Sequence, residues 1–300
     1  MNYSDATIEA MQQLLNARNQ RVRPATDDKI ITGLNGLMIS AFAAGYQILH
    51  DKRFLEAATS AARFIFDNLL KEGQLYRRYR DHEVAIPANL EDYTFFIAAL
   101  LDLYEASFDP EWQKKAIRLN ESMIEMFWDK VDGGFYFNAH GETELIVPIK
   151  EAYDGPTPSG NSIAAQNLLR LASITGNEEL TTYAVKNFLA FGKQLEQNPL
   201  AYTQMLCGVD FYLSSPLQIV IVSQTRKEAG AFVAEINRHF VPNKILLLVD
   251  SDVTVDELTD LIPLIRNRVA IQGNPTVYIC ENFTCKTPIT NLDDLKQALI

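Results

Sequence analysis

Three carboxylates stand where acid–base chemistry could be done. Glu91 and Asp92 are adjacent at the start of an apolar stretch, and Asp154 lies beside Gly155 in a long polar connection. Such side chains donate and accept protons on sugars, and glycoside hydrolysis needs two of them about 5 to 9.5 Å apart. Glu91 and Asp92 open a helix whose dipole stabilises negative charge, and capping that helix accounts completely for one of them. Asp154 is the candidate partner of the pair. Asn35 and Asn161 sit at equivalent helix starts, where their amides could serve sugar hydroxyls or equally well serve as N-caps. Tyr76, Tyr93, Tyr136 and Tyr153 fall in the same regions, either as packing rings or as walls on which a sugar could stack; Tyr93 and Tyr153 flank the carboxylates.

Other chemistries find less support. Ser159-Gly160-Asn161-Ser162 lacks the Gly-x-Ser-x-Gly elbow and a nearby histidine, so a serine hydrolase is not expected. Ser223-Gln224-Thr225 follows a strand where a nucleotide site would need a glycine-rich turn. No His or Cys spacing suggests zinc, and no metal or cofactor is expected. Cys207, Cys280 and Cys285 are too few and odd in number for a disulfide framework, which agrees with a reducing compartment. Cys280 and Cys285 read as a coincidental pair rather than a redox or metal site.

The elements that must position these residues repeat. Gly36 to Leu49, Thr94 to Tyr104 and Asn161 to Ile174 are apolar or small nearly all round, the pattern of helices buried on most sides. Each is followed by a helix with one apolar stripe: Phe54, Ala58, Ile65; Trp112, Ala116, Met123; Leu180, Ala184, Phe191. Asp51, Asp109 and Asn177 each precede an aromatic or Leu by three residues and an Ala by seven, as N-caps of those second helices would. A buried helix paired with a covering helix, repeated three times, describes a mainly α fold: a partial α/α toroid with inner and outer helices in residues 1–214. Connections within pairs are short. Those between pairs run from about Lys71 to Leu90 and from about Asp129 to Pro158, so the long loops gather at one end, where any function would sit. Leu75 to Tyr79 and Gly134 to Phe137 read as small hairpins there.

After Ser214 the pattern changes. Leu217 to Val222, Lys244 to Val249 and Thr276 to Cys280 read as strands, alternating with helices at Lys227 to His239, Val255 to Ile265 and near Leu292 to Leu299. Residues 215–300 are therefore expected to form a small three-stranded parallel α/β unit.

Composition sets outer limits. The 300 residues are 47% hydrophobic and 22% charged with a net charge of −11, an ordinary globular balance that disfavours nucleic acid and anionic membrane surfaces as partners. The opening residues lack a secretory signal and no apolar run is long enough to span a bilayer, so a cytoplasmic protein is expected.

Several segments together resemble a known family. Leu14-Leu15 with Arg18, Arg21 and Pro24, then Asp27-Asp28-Lys29-Ile30, Asn35-Gly36-Leu37-Met38-Ile39, Glu91-Asp92-Tyr93, Phe127-Trp128-Asp129 with Gly133-Gly134-Phe135, and the run from Asp154 to Ser162 occur in the order found in the helical part of the spermatogenesis-associated protein 20 (DUF255) family. The resemblance runs from about residue 14 to the C-terminus. It implies a six-hairpin glycosidase-like toroid related to N-acylglucosamine 2-epimerases and some glycoside hydrolases, and the family's N-terminal thioredoxin-like domain is not expected among these residues. Two departures stand out. Leu34 replaces a Trp before Asn-Gly, removing a possible sugar-stacking ring, and Glu91-Asp92-Tyr93 replaces Asp-Asp-Tyr, keeping the charge. Epimerase chemistry commonly uses histidines on inner helices, whereas His50, His82, His140 and His239 fall in turns, loops or the appended unit.

Two readings follow, with enzymatic activity left open. The preferred one is a non-catalytic scaffold or binding module with a saccharide-type pocket at the long-loop end. The alternative is a carbohydrate-active enzyme, isomerase-like or hydrolase-like, using Glu91, Asp92 and Asp154. Because six hairpins need twelve helices and about eight are legible, the ring should be open; the chain is expected to self-associate or to meet a partner chain supplying the missing hairpins. The N-terminal helix and the α/β unit folding over the opening would instead leave a monomer.

Overall fold

The computed structural model describes residues 3–141, 147–250, 261–281 and 284–299. Eight α-helices precede residue 215: α1 (Asp5–Asn19), α2 (Thr32–Leu49), α3 (Lys52–Asn68), α4 (Leu90–Ser107), α5 (Pro110–Phe127), α6 (Gly160–Thr175), α7 (Glu178–Gln197) and α8 (Thr203–Leu213). Helices α2, α4, α6 and α8 pack side by side as the inner row, while α3, α5 and α7 each cover the inner helix that precedes them. This is the expected partial α/α toroid. Helices α4 and α6 are buried along most of their length, as their all-round apolar sequences require.

The three hairpins turn in the same way. Each inner helix ends on a left-handed residue, His50 (φ 56°), Phe108 (φ 53°) or Gly176 (φ 70°), whose N–H returns to the helix. Asp51, Asp109 or Asn177 follows at once, and its side chain accepts the N–H two residues on to start the outer helix. A two-residue joint therefore reverses the chain, and only the third copy uses glycine for the positive φ.

Inner helices approach closely where they must. A Cβ placed on Gly36 of α2 would lie 2.7 Å from the Phe95 carbonyl carbon and 2.8 Å from its oxygen in α4, so only glycine fits this backbone crossing.

The long loops carry local order at the end where the inner helices start. β3 (Gln74–Arg80) is the central strand of a small antiparallel sheet, paired with β2 (Leu70–Lys71), β4 (Glu83–Pro87) and β1 (Ile30–Ile31). The hairpin expected at Leu75 to Tyr79 is thus present. The one expected at Gly134 to Phe137 is reduced to a single antiparallel bridge, Trp128 to Phe135, flanked by backbone bonds from Asp129 N–H to the Gly134 carbonyl (2.9 Å) and from Tyr136 N–H to the Phe127 carbonyl (2.8 Å), with Gly133 and Gly134 turning the chain at positive φ.

The C-terminal unit corrects one expectation. Its sheet is four-stranded in the order β6 (Lys244–Val249), β5 (Leu217–Val222), β7 (Thr276–Glu281), β8 (Thr284–Cys285), and only β5 and β6 are parallel. β7 runs antiparallel, since Val222 faces both Val249 at the end of β6 and Thr276 at the start of β7. The connecting chain therefore re-enters at the end of the sheet it left and makes no crossover. The helix expected at Val255 to Ile265 lies largely outside the described residues; its last three form a 3-10 turn begun by Pro263. Helices α9 (Arg226–Arg238) and Leu292–Ala298 pack against each other.

The sheet docks on the short-turn end of the helical part. Leu248 N–H donates to the Tyr104 hydroxyl (3.3 Å), Arg226 to the Ser107 carbonyl (3.0 Å) and Gln218 to the Ser173 carbonyl (3.3 Å). One hydrophobic cluster runs through both parts. The opposite end, with the inner-helix N-termini, stays clear of it. α1 buries none of its residues. Among the described residues no helix is long and apolar enough to cross a membrane.

Candidate functional site

At the long-loop end the first turns of α4 and α6 and the extended segment before α6 enclose a cavity of about 150 Å³. Glu91, Glu151, Tyr153, Phe137 and Asn161 are among the residues lining it. Its size suits one small polar molecule, well below the roughly 300 Å³ at which larger ligand sites begin.

Each wall has a local cause. In α4, Asn89 and Asp92 form a capping box, with each side chain accepting the other's backbone N–H. This fixes Glu91 between them, pointing away from the box. In α6, Ser159 is the N-cap and Asn161 is the second residue of the first turn, wholly buried. Its Oδ1 accepts Phe135 N–H (2.8 Å), while its Nδ2 donates to the carbonyls of Phe135 (2.9 Å) and Glu151 (2.8 Å). Asn161 thus ties two loop strands to the start of α6. The Phe137 carbonyl accepts Leu90 N–H (2.9 Å), closing the wall against α4. The extended segment then alternates: Ala152 is buried, whereas Glu151 and Tyr153 are exposed and line the cavity. Tyr153 is 56% exposed, and a Cβ on Gly155 would come within 3.1 Å of its ring, so glycine leaves the ring its place.

The three carboxylates singled out from the sequence do not come together here. Asp92 is fully buried: Oδ1 accepts Gly33 N–H (2.9 Å), and Oδ2 accepts Asn89 N–H (3.1 Å) and pairs with Arg77 (3.0 Å). It binds α2, α4 and β3 together. Asp154 has a similar task, with Oδ1 on Ser159 N–H (2.9 Å) and Oδ2 on Gln204 and Met205 N–H (2.8 and 3.1 Å). Neither lines the cavity. Asn35 is not an N-cap, since Ile31 occupies that position; its amide donates to the Ile31 carbonyl (2.9 Å). Tyr93 is fully buried, its hydroxyl accepting Leu75 N–H (3.2 Å) and lying 3.5 Å from Met126 Sδ. Tyr136 donates to Asp129 (2.8 Å), which also takes Lys150 (2.7 Å) and so anchors the second long loop.

Glu151 is the residue sequence reasoning passed over. The signal was present, because alternation through Glu151-Ala152-Tyr153-Asp154 puts Glu151 on the same side as Tyr153 and opposite Asp154.

The electrostatics set the two cavity glutamates apart. Burial raises the Glu91 carboxyl above the ordinary glutamate range; Arg77 opposes the shift, while Asp92 and Glu151 add to it. Glu91 is half-buried and Glu151 exposed, and proton donors and acceptors are set up by environments that differ in this way. Among the described residues no three His, Cys, Asp or Glu side chains converge on a metal-sized point.

No known protein-family model matches the chain. It is 32% identical to human spermatogenesis-associated protein 20 over 97% of its own length and 40% of that protein's. The chain therefore spans about two fifths of this curated relative. Among solved structures, a glycoside hydrolase family 76 α-mannanase from Bacteroides thetaiotaomicron superposes with a TM-score of 0.50 at 15% identity, covering 77% of this chain and 66% of that one. A cellobiose 2-epimerase from Bacillus thermoamylovorans gives 0.45 at 14% identity, over 88% and 68%. At 15% identity the likeness to the α-mannanase is one of fold alone.

Proposed function

From the premise that this chain belongs to the spermatogenesis-associated protein 20 family, matching part of that protein over nearly its whole length, and folds as a partial toroid of the six-hairpin glycosidase-like kind, we propose that it binds a single sugar ring at the long-loop end and performs acid–base chemistry on it. The observation that carries this reading is the pairing of two glutamates in unlike environments within one cavity walled by an exposed tyrosine. Glu91 serves as proton donor to a sugar oxygen, Glu151 as the proton acceptor, and Tyr153 as the stacking face.

A non-catalytic binding module is the second reading. It is favoured by the bracing roles of Asp92, Asp154 and Asn161, which spend on the scaffold the polar groups that a larger catalytic constellation would use.

Incubating the purified chain with mono- and disaccharides and following product by chromatography tests the proposal. Turnover should be lost by at least about 100-fold in Glu91→Gln and Glu151→Gln, the usual range for removing general acid–base catalysis. Both variants should keep their fold. Binding without turnover in the unaltered chain would leave the binding module as the function.

A further inference from the structure

The sequence offered Cys280 and Cys285 as a coincidental pair, and here the structure corrects it. They face each other across the β7–β8 hairpin and are joined as a disulfide. Cys207 is free and exposed.

What surrounds the pair is unusual. The Arg268 guanidinium reaches it from the segment before β7, with Nη2 2.8 Å from Cys285 Sγ and 3.9 Å from Cys280 Sγ. Arg268 also stacks on Tyr278, 5.0 Å from the ring centroid, and the Tyr278 hydroxyl donates to the Val269 carbonyl (2.8 Å), fixing the backbone beside the arginine. Arg268 Nε is buried without a hydrogen-bond partner, and among the described residues no carboxylate pairs with this guanidinium. Glu281, at the end of β7, is taken by Lys286 (2.8 Å). A cation held against two sulfurs, with no carboxylate among the described residues to balance it, is the environment in which a thiolate is stabilised. The two sulfurs differ as well, since Cys280 is fully buried while Cys285 is only partly so and lies closer to the arginine.

We propose that Cys280 and Cys285 form a thiol–disulfide exchange site, with Cys285 as the attacking thiolate, Cys280 as the resolving thiol and low-molecular-weight disulfides as its oxidants. The Cys285 thiolate attacks one sulfur of the small disulfide; the Cys285–substrate bond forms as the first substrate thiolate leaves. That thiolate takes up the Cys280 proton, and Cys280 attacks Cys285 Sγ, closing the Cys280–Cys285 bond and releasing the second substrate thiolate. The protein dithiol loses two electrons and the small disulfide gains them. Arg268 is a positioning residue: its charge favours the reduced, thiolate form and so makes the protein disulfide easier to reduce. The site lies in the C-terminal unit, apart from the sugar cavity, and stands independently of that reading.

The full chain, reduced with dithiothreitol and desalted, is pulsed with iodoacetamide across a pH series, and each cysteine is followed by mass spectrometry. Cys207 is the internal standard. Relative to its own high-pH plateau, Cys285 should alkylate about tenfold faster at pH 7 than Cys207, and Arg268→Met should bring the two within about twofold. Glutathione disulfide should then oxidise the reduced chain to Cys280–Cys285 with release of two glutathiones, whereas Cys280→Ser should stop at a Cys285–glutathione adduct with one released. A Cys285 midpoint at or above the ordinary thiol value of about 8.5 in the unaltered chain overturns the proposal whatever the variants do. So does glutathione disulfide reacting at Cys207 alone.

Discussion

Replacing Asp154 by Ala should cost stability before it costs chemistry. The carboxylate accepts three backbone N–H groups, from Ser159 at 2.9 Å, Gln204 at 2.8 Å and Met205 at 3.1 Å, and so joins the turn before α6 to the start of α8. Hydrogen bonds to a charged group contribute about 1.5–3 kcal/mol each, but the amides at the start of α8 regain water in part, and losing a helix cap alone costs about 0.5–2 kcal/mol. A net loss of about 3 kcal/mol follows. With an unfolding entropy of about 2.1 cal/mol/K per residue, this lowers the Tm of a 300-residue chain by about 5 °C. Asp154→Asn, which keeps one acceptor oxygen, should recover part of the loss, while Glu151→Gln on the exposed side of the same segment should stay within about 0.5 kcal/mol of the unaltered chain. Differential scanning calorimetry reads all three. An Asp154→Ala variant that melts within 1 °C or so of the parent yet loses its response to sugars would refute the bracing role and return Asp154 to the chemistry.

Gly36→Ala should destabilise by more than about 3 kcal/mol in urea titration, because its Cβ would meet the Phe95 backbone at 2.7 Å; a loss under about 0.5 kcal/mol would mean α2 and α4 do not cross this closely. Glu91→Gln should stabilise the protein above the acid range. The folded-state carboxyl of Glu91 is raised, so as pH climbs from the ordinary glutamate pKa near 4.3 the unfolded chain releases its proton first and the parent loses stability that the Gln variant keeps. Solvent screening at this half-buried site keeps the gain below about 1 kcal/mol, and a variant less stable than the parent at pH 7 would contradict the sign. Finally, α1 and α2 expose Ile8, Met11, Leu14, Leu34 and Met38, the last two on the inner helix that ends the row among the described residues. We expect a second copy to cover them. Light scattering at micromolar concentration should report a dimer, and a monodisperse monomer would refute it.

How far the sequence was legible varied with the kind of signal. The hairpins could be read because local and global cues coincide there: Asp51, Asp109 and Asn177 cap the helices whose apolar steps of three and four face inward. The direction of β7 could not, since strand propensity carries no information about which end of a sheet the chain re-enters. Carboxylates near loops look alike in sequence whether they brace or react, and Asp92 and Asp154 are distinguished from Glu91 only by the backbone amides that fold around them. Glu151 was readable from alternation within its own segment, although nothing local placed that segment against α4. Cys280 and Cys285 needed the hairpin register to bring them face to face.

The most direct test of the account is thermal stability in the presence of neutral monosaccharides, for the unaltered chain and for Tyr153→Ala. A sugar at one hundred times its Kd should stabilise the folded state by about 2.7 kcal/mol, raising the Tm by about 4 °C at this chain length, and Tyr153→Ala should lose most of that rise while melting at the parent's temperature without sugar. No shift with any sugar, or the same shift in Tyr153→Ala, would contradict a sugar-binding cavity between Glu91 and Glu151.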